Sequence, residues 1–203
     1  RAAHARVLTP DFRLAPEHPF PAAVKDVLTV YGWLLDQGVG EPNIIVGGDS
    51  SGGGLALSML LALREAGAAM PRAAVLLSPW TDLTTSGASH ERHRKLDPTV
   101  TRAALKVAAA WYAGGRDLAE PMLSPLFADL TGLPPLLVHV GGDEILLDDG
   151  RLLAERARAA GVGAQYRVFD GMWHVHHFAA PEVPEALAAM NDIAAFIRSQ
   201  FGD

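Results

Sequence analysis

Immediately after the β-branched run Ile44-Ile45-Val46 the chain reads Gly47-Gly48-Asp49-Ser50-Ser51-Gly52-Gly53-Gly54, and residues 55–63 are then apolar nearly all round. Gly-x-Ser-x-Gly between a strand and a buried helix is the pattern of a nucleophile elbow. A turn that tight leaves no room for side chains flanking the serine, and it holds Ser50 at its tip in a strained backbone conformation with the hydroxyl presented outward. The next N–H, that of Ser51, points toward the helix start and can stabilise an oxyanion. The competing reading is a glycine-rich turn that cradles phosphate. Neither Gly-x-Gly-x-x-Gly nor a terminal Gly-Lys-Ser/Thr is present to support it.

A serine hydroxyl needs a base, and the base needs an acid to orient it. Two later strand ends offer them. Leu136-Leu137-Val138-His139-Val140 leads to Gly141-Gly142-Asp143-Glu144, and Tyr166-Arg167-Val168-Phe169 leads to Asp170-Gly171-Met172-Trp173-His174. Ser50, Asp143 and His174 thus follow one another in the order nucleophile, acid, base, each just after a strand. Other titratable residues read as structural. Asp148 and Asp149 suit the N-cap and first-turn charge of a helix. His139 lies within a strand, and His176 and His177 lie farther from the strand end than His174. His90-Glu91-Arg92-His93 has its histidines three apart rather than four, in a polar loop, which argues against a zinc site.

The elements that must position these groups alternate along the chain. Arg6-Val7-Leu8-Thr9 reads as a short strand. Val24, Val27, Leu28, Tyr31, Leu34 and Leu35 recur at helical spacing after Pro21, and Gly38 ends that helix. The run 44–46 suits a strand covered on both faces, as in a parallel sheet. Ala73-Ala74-Val75-Leu76-Leu77 is a further strand, residues 81–97 an irregular polar loop, and 101–112 a helix. Residues 135–140 form a strand, 148–160 a helix, and 165–169 an alternating strand near a sheet edge. The last helix carries Leu187, Met190, Ile193, Ala194, Ile197 and Phe201 on one stripe, which packs on its own sheet or supplies a homodimer contact. Such alternation gives a three-layer α/β fold with a mostly parallel sheet, here as one domain over 1–203.

Composition narrows the function classes. The chain has 203 residues, 49% hydrophobic and 20% charged, a globular balance that excludes disorder. A formal charge of −6 without a Lys/Arg cluster gives no nucleic-acid footprint. No apolar run reaches the roughly 18 residues of a membrane span. The absence of cysteine excludes thiolate catalysis, disulfides and thiolate zinc sites, and it fits a cytoplasmic protein.

Taken together the motifs resemble the hormone-sensitive-lipase-like branch of the α/β-hydrolases, the bacterial family IV esterases. Asp11-Phe12-Arg13-Leu14-Ala15-Pro16-Glu17 with Phe20-Pro21-Ala22-Ala23 is similar to the family's D-Y-R-L-A-P-E…F-P-A block, with Phe12 for Tyr. The segment from Gly48 to Gly53 resembles its G-D-S-A-G-G elbow, with Ser51 for Ala. Ser78-Pro79-Trp80-Thr81-Asp82-Leu83, Asp143-Glu144-Ile145-Leu146 and Gly171-Met172-Trp173-His174 match later blocks. The resemblance implies an α/β-hydrolase sandwich and a cofactor-free serine carboxylesterase for short to medium acyl esters. Ser50 would be its nucleophile, Asp143 its acid, His174 its base and the Ser51 N–H an oxyanion donor. Trp80, Trp111, Trp173 and Phe178 are expected along the substrate.

The family's H-G-G-G segment, which supplies most of its oxyanion hole, has no counterpart in this sequence, nor has its N-terminal cap. The expectation is therefore a longer polypeptide whose N-terminal strands and cap lie upstream of Arg1. Three other readings remain open on the sequence: peptide or lactone cleavage on the same triad, a non-catalytic small-molecule-binding relative, and an inactive fragment.

Overall fold

The computed structural model describes residues 3 and 5–202; Arg1, Ala2, His4 and Asp203, at the ends of the expected domain, lie outside the described residues. Four strands, β1 (Ile45–Asp49), β2 (Ala73–Leu77), β3 (Leu136–Gly141) and β4 (Ala164–Phe169), form one parallel sheet in the order β1-β2-β3-β4. The helices are α1 (Ala22–Asp36), α2 (Ser51–Glu65), α3 (Ser89–Arg92), α4 (Arg102–Ala113), α5 (Leu147–Ala159) and α6 (Pro184–Phe201).

Side-chain alternation along the strands divides the core between two faces. Ala74, Leu76, Leu136 and Val138 face α2 and α5, where they meet Leu57, Leu60, Leu61, Leu153 and Ala157. Ala73, Val75 and Leu137 face the other way, against Ile193, Phe196 and Ile197 of α6. The α6 stripe thus packs on its own sheet, while Leu187, Met190 and Phe201 at its margins stay exposed. Helix α1 adds an outer layer through Val27, Leu28 and Tyr31, which pack with Ile44, Met59 and Leu63. This is the three-layer arrangement the alternation implies. Among the described residues no helix is long and apolar enough to cross a membrane.

Several local expectations are corrected. Residues 6–9 form no strand: Val7 is 88% exposed, and among the described residues no strand lies beside the segment to take its hydrogen bonds. Strand β1 has apolar contacts on both faces but an open outer edge, with Gly47 and Asp49 exposed. The loop 81–97 is not wholly irregular, because it contains α3 and is pinned by buried carboxylates. Asp148 and Asp149 lie in the first turn of α5, whose N-cap position is Leu146.

Two packing features shape the rim at the carboxyl ends of the strands. The first is close approach of backbone at the elbow. A Cβ on Gly48 would meet the Gly52 carbonyl oxygen at 2.2 Å, and one on Gly54 would meet that of Trp80 at 2.3 Å. Gly52, by contrast, has open space, so only one of the two motif glycines is required by packing. The second is a cluster of buried imidazoles beneath the His174 loop. His139 Nδ1 lies 3.3 Å from His177 Nε2, and His176 packs on both His177 and Phe169, with ring centroids 4.2 and 4.8 Å apart. Burial pushes His139 down to about 4 and His177 to about 3, and it lowers His176 as well.

These features predict two stability effects. Gly54→Ala should cost about 1–3 kcal/mol in denaturant unfolding, as overpacking does. Gly52→Ala, at an open helical position, should be neutral or stabilise by up to about 1 kcal/mol; equal losses for the two would refute the packing account. The buried imidazoles take up protons less readily folded than unfolded, where the ordinary value is 6.5. Their contribution to stability is therefore complete above about pH 6.5 and is lost as pH falls toward 4. Tm is expected to drop across that window, and His177→Gln should flatten part of the slope. A Tm that does not change there would show that the rings are not desolvated.

Candidate active site

Ser50 sits between β1 and α2 with φ +52° and ψ −122°, a backbone conformation that costs a residue with a side chain about 1–3 kcal/mol. Hydrogen bonds to neighbouring segments hold it there. The Ser50 N–H donates to the Leu77 carbonyl at the end of β2 (2.9 Å), and its own carbonyl accepts from the N–H of Trp80 (2.9 Å) and of Gly53 (3.0 Å). The tip is thus fastened to the end of β2 and to the loop that follows. Ser51 is exposed and opens α2, so its N–H is one of those a helix leaves without an internal partner.

His174 follows β4 on a loop that turns at Gly171 and continues into a 3₁₀ turn over His176–Ala179. Its Nε2 lies 2.9 Å from the Ser50 hydroxyl oxygen, within good hydrogen-bond range, and the ring is largely buried. The loops after β3 and β4 are themselves bonded together: the Gly142 N–H donates to the Phe169 carbonyl (2.8 Å) and the Asp143 N–H to the Met172 carbonyl (3.0 Å).

That second bond faces the Asp143 backbone toward the histidine loop, but the carboxylate opposite the ring belongs to Glu144. Asp143 is only partly buried, and among the described residues its side chain accepts no hydrogen bond. Glu144 is fully buried. Its Oε2 accepts from the Ser78 hydroxyl and the Gly141 N–H, both at 2.7 Å, and its Oε1 lies 3.5 Å from His174 Nδ1. These facing atoms, Oε1 and Nδ1, are buried and lack a closer partner. At 3.5 Å they stand just beyond a strong hydrogen bond, and catalytic contacts of this kind commonly tighten when substrate binds. The carboxylate expected opposite the ring from Asp143 is instead that of Glu144, one residue later, where the longer side chain reaches Nδ1.

The turn carrying Glu144 is also clamped from its other side, by residues that the sequence reading treated as loop. Asp97 accepts from the Ile145 N–H (3.0 Å), the Ser89 hydroxyl donates to the Ile145 carbonyl (2.7 Å), and His93 Nδ1 bonds the Glu144 carbonyl (3.0 Å). Asp149 accepts from the N–H groups of Thr81 and Asp82, each at 2.9 Å, and burial pushes its carboxyl up. His90 lies against Asp149 (3.6 Å) while His93 points to the Glu144 carbonyl, so the two rings face different partners. Among the described residues no group of three or more such side chains is placed to hold a metal ion.

The aromatic residues expected along the substrate fare differently. Trp80 is a core residue, packed with Leu83, Leu105 and Ile145 and donating its indole N–H to the Asp82 carbonyl. Trp111 is half-exposed on α4. Trp173, adjacent to His174, is partly buried, and Phe178 projects 80% exposed from the same loop. A groove of about 470 Å³ lies elsewhere, between β4 and α6, lined by His139, Tyr166, Arg167, Asp192 and Phe196 among others, and does not include Ser50.

Comparison with known proteins places this arrangement in context. Residues 1–178 match the model of a family described as alpha/beta hydrolase fold. An acetyl-hydrolase of Streptomyces hygroscopicus is 43% identical over 202 residues, covering all of this chain and 68% of that protein. An esterase of Acinetobacter venetianus is 40% identical, covering 96% of this chain and 64% of that protein. A crystal structure of an esterase from the bacterial hormone-sensitive lipase family superposes with a TM-score of 0.96 at 50% identity, over 98% of this chain and 67% of that one. The chain thus spans about two-thirds of the length of these relatives. It belongs to the alpha/beta hydrolases, within the hormone-sensitive-lipase branch of bacterial esterases.

Proposed function

We propose that the chain carries the nucleophile, base and acid of a serine carboxylesterase, in Ser50, His174 and Glu144. The observation that supports this reading most directly is the 2.9 Å approach of His174 Nε2 to the Ser50 hydroxyl, with a buried carboxylate on the far side of the ring. With Nδ1–H directed at Glu144, Nε2 is left to take the Ser50 proton as the hydroxyl attacks an ester carbonyl. Glu144 fixes that tautomer and stabilises the imidazolium that forms. The proton then passes to the departing alcohol, and water, activated by the same imidazole, releases the acid from the acyl-enzyme.

The negative charge of the tetrahedral intermediate needs donors, and the Ser51 N–H at the start of α2 is one of them. A single missing donor costs about 10²–10³ in rate, so the remaining donors bear heavily on turnover. Short acyl esters are the substrates the reading favours, in line with the acetyl-hydrolase among its relatives. Neither a metal nor an organic cofactor is required by this chemistry.

A fluorophosphonate probe is expected to label the folded chain at Ser50, and Ser50→Ala should abolish both labelling and hydrolysis of a p-nitrophenyl acetate substrate. Absence of labelling on a folded sample would refute the reading. Within the same assay Glu144→Gln should lower kcat by about 10³–10⁴-fold, the scale seen when the acid of such a triad is neutralised. Asp143→Asn should stay near wild type, and the reverse pattern would return the acid role to Asp143.

A further inference from the structure

The residue that joins the parts of this site is one the esterase chemistry does not use. Ser78 follows β2, is fully buried, and adopts φ +46°, in the left-handed region. Its N–H donates to the His139 carbonyl of β3 (2.7 Å). Its hydroxyl has one proton and two lone pairs. The proton goes to Glu144 Oε2 at 2.7 Å, and a lone pair accepts the N–H of Val175 at 3.0 Å. Val175 is the residue after His174 and is itself left-handed, at φ +52°. One buried hydroxyl therefore touches the acid and the backbone that carries the base. The preceding residue, Leu77, accepts the N–H of the nucleophile.

A left-handed position with no other requirement is best filled by glycine, which adopts it without strain. What glycine lacks here is the hydroxyl. Oε2 of Glu144 is taken up by Ser78 and Gly141, which leaves Oε1 as the oxygen turned toward His174 Nδ1. We propose that Ser78 is a positioning residue of the triad, a hydroxyl clamp that sets the rotation of the Glu144 carboxylate and fixes the His174 loop against it. The proposal rests on the esterase reading for its consequence in turnover, but its geometric content stands on the contacts of Ser78 alone.

The variant that isolates the hydroxyl is Ser78→Gly, which removes it and relieves the left-handed strain; Ser78→Ala removes it and keeps the strain. Both should lower kcat by about 10–100-fold, the range found when a group orienting a catalytic ligand is lost, with KM little changed. Ser78→Gly should melt no lower than Ser78→Ala. A second readout is independent of turnover: the His174 Nδ1–H in ¹⁵N-labelled protein, followed by NMR, should exchange slowly with water in the wild type and rapidly in Ser78→Gly. Full kcat and an unchanged Nδ1–H signal in Ser78→Gly would overturn the proposal while leaving the esterase reading intact. A wild type that neither turns over nor labels, yet loses the protected Nδ1–H on Ser78→Gly, would refute the esterase reading and support the clamp.

Discussion

The whole site hangs on the attachment of a strained serine to the end of its neighbouring strand. Ser50 cannot hold its left-handed geometry by itself; it does so because its N–H and carbonyl are both engaged by the segment Leu77–Trp80. That segment is bound in turn to the other parts of the rim. Ser78 reaches Glu144 and the His174 loop, Trp80 lies against α2 where Gly54 lets it approach, and Thr81 and Asp82 are fixed by the carboxylate of Asp149 on α5. Ser50, Glu144 and His174 follow β1, β3 and β4, and the segment after β2 bonds to Ser50, to Glu144 and to Val175 beside His174.

Parallel strands make this possible, because they deliver all their carboxyl ends to the same rim of the sheet. The left-handed residues Ser50, Ser78 and Val175 cluster there, and each is stabilised by a hydrogen bond to the segment that follows a neighbouring strand or to that strand's end. Burial then adds an electrostatic constraint. The imidazoles of His139, His176 and His177 are kept neutral by desolvation, so the packing beneath the base introduces no competing positive charge at neutral pH. Among the described residues, the imidazole placed between a hydroxyl and a carboxylate is His174.

Much of this was legible from residue order. The strands and main helices appear close to where apolar runs and helical periodicity place them, and Ser50 and His174 meet as their strand-end positions imply. The carboxylate facing His174 lies one residue beyond the expected Asp143, because adjacent carboxylates after Gly141-Gly142 look alike in sequence and only the fold says which one turns inward. Asp97 and His93 carried no signal, and Ser78 stood out only as part of a motif block, since their contacts lie 48 to 97 residues away along the chain. The segment 6–9 has the composition of a strand but no neighbour among the described residues, and β-propensity expresses itself only where a partner is present. Trp80 illustrates the opposite error: a large aromatic beside the elbow serves as core.

Of the groups brought together at the rim, the hydroxyl and the imidazole each follow a strand, β1 and β4, that pairs on one side alone. Glu144 follows β3, which is paired on both sides and buried throughout, whereas β1 and β4 both mix half-buried with exposed residues. Fraying of either border would part the imidazole from the hydroxyl while β2 and β3 stay paired. Separation of Ser50 from His174 is thus a property of the sheet's borders, a different quantity from the melting of the molecule.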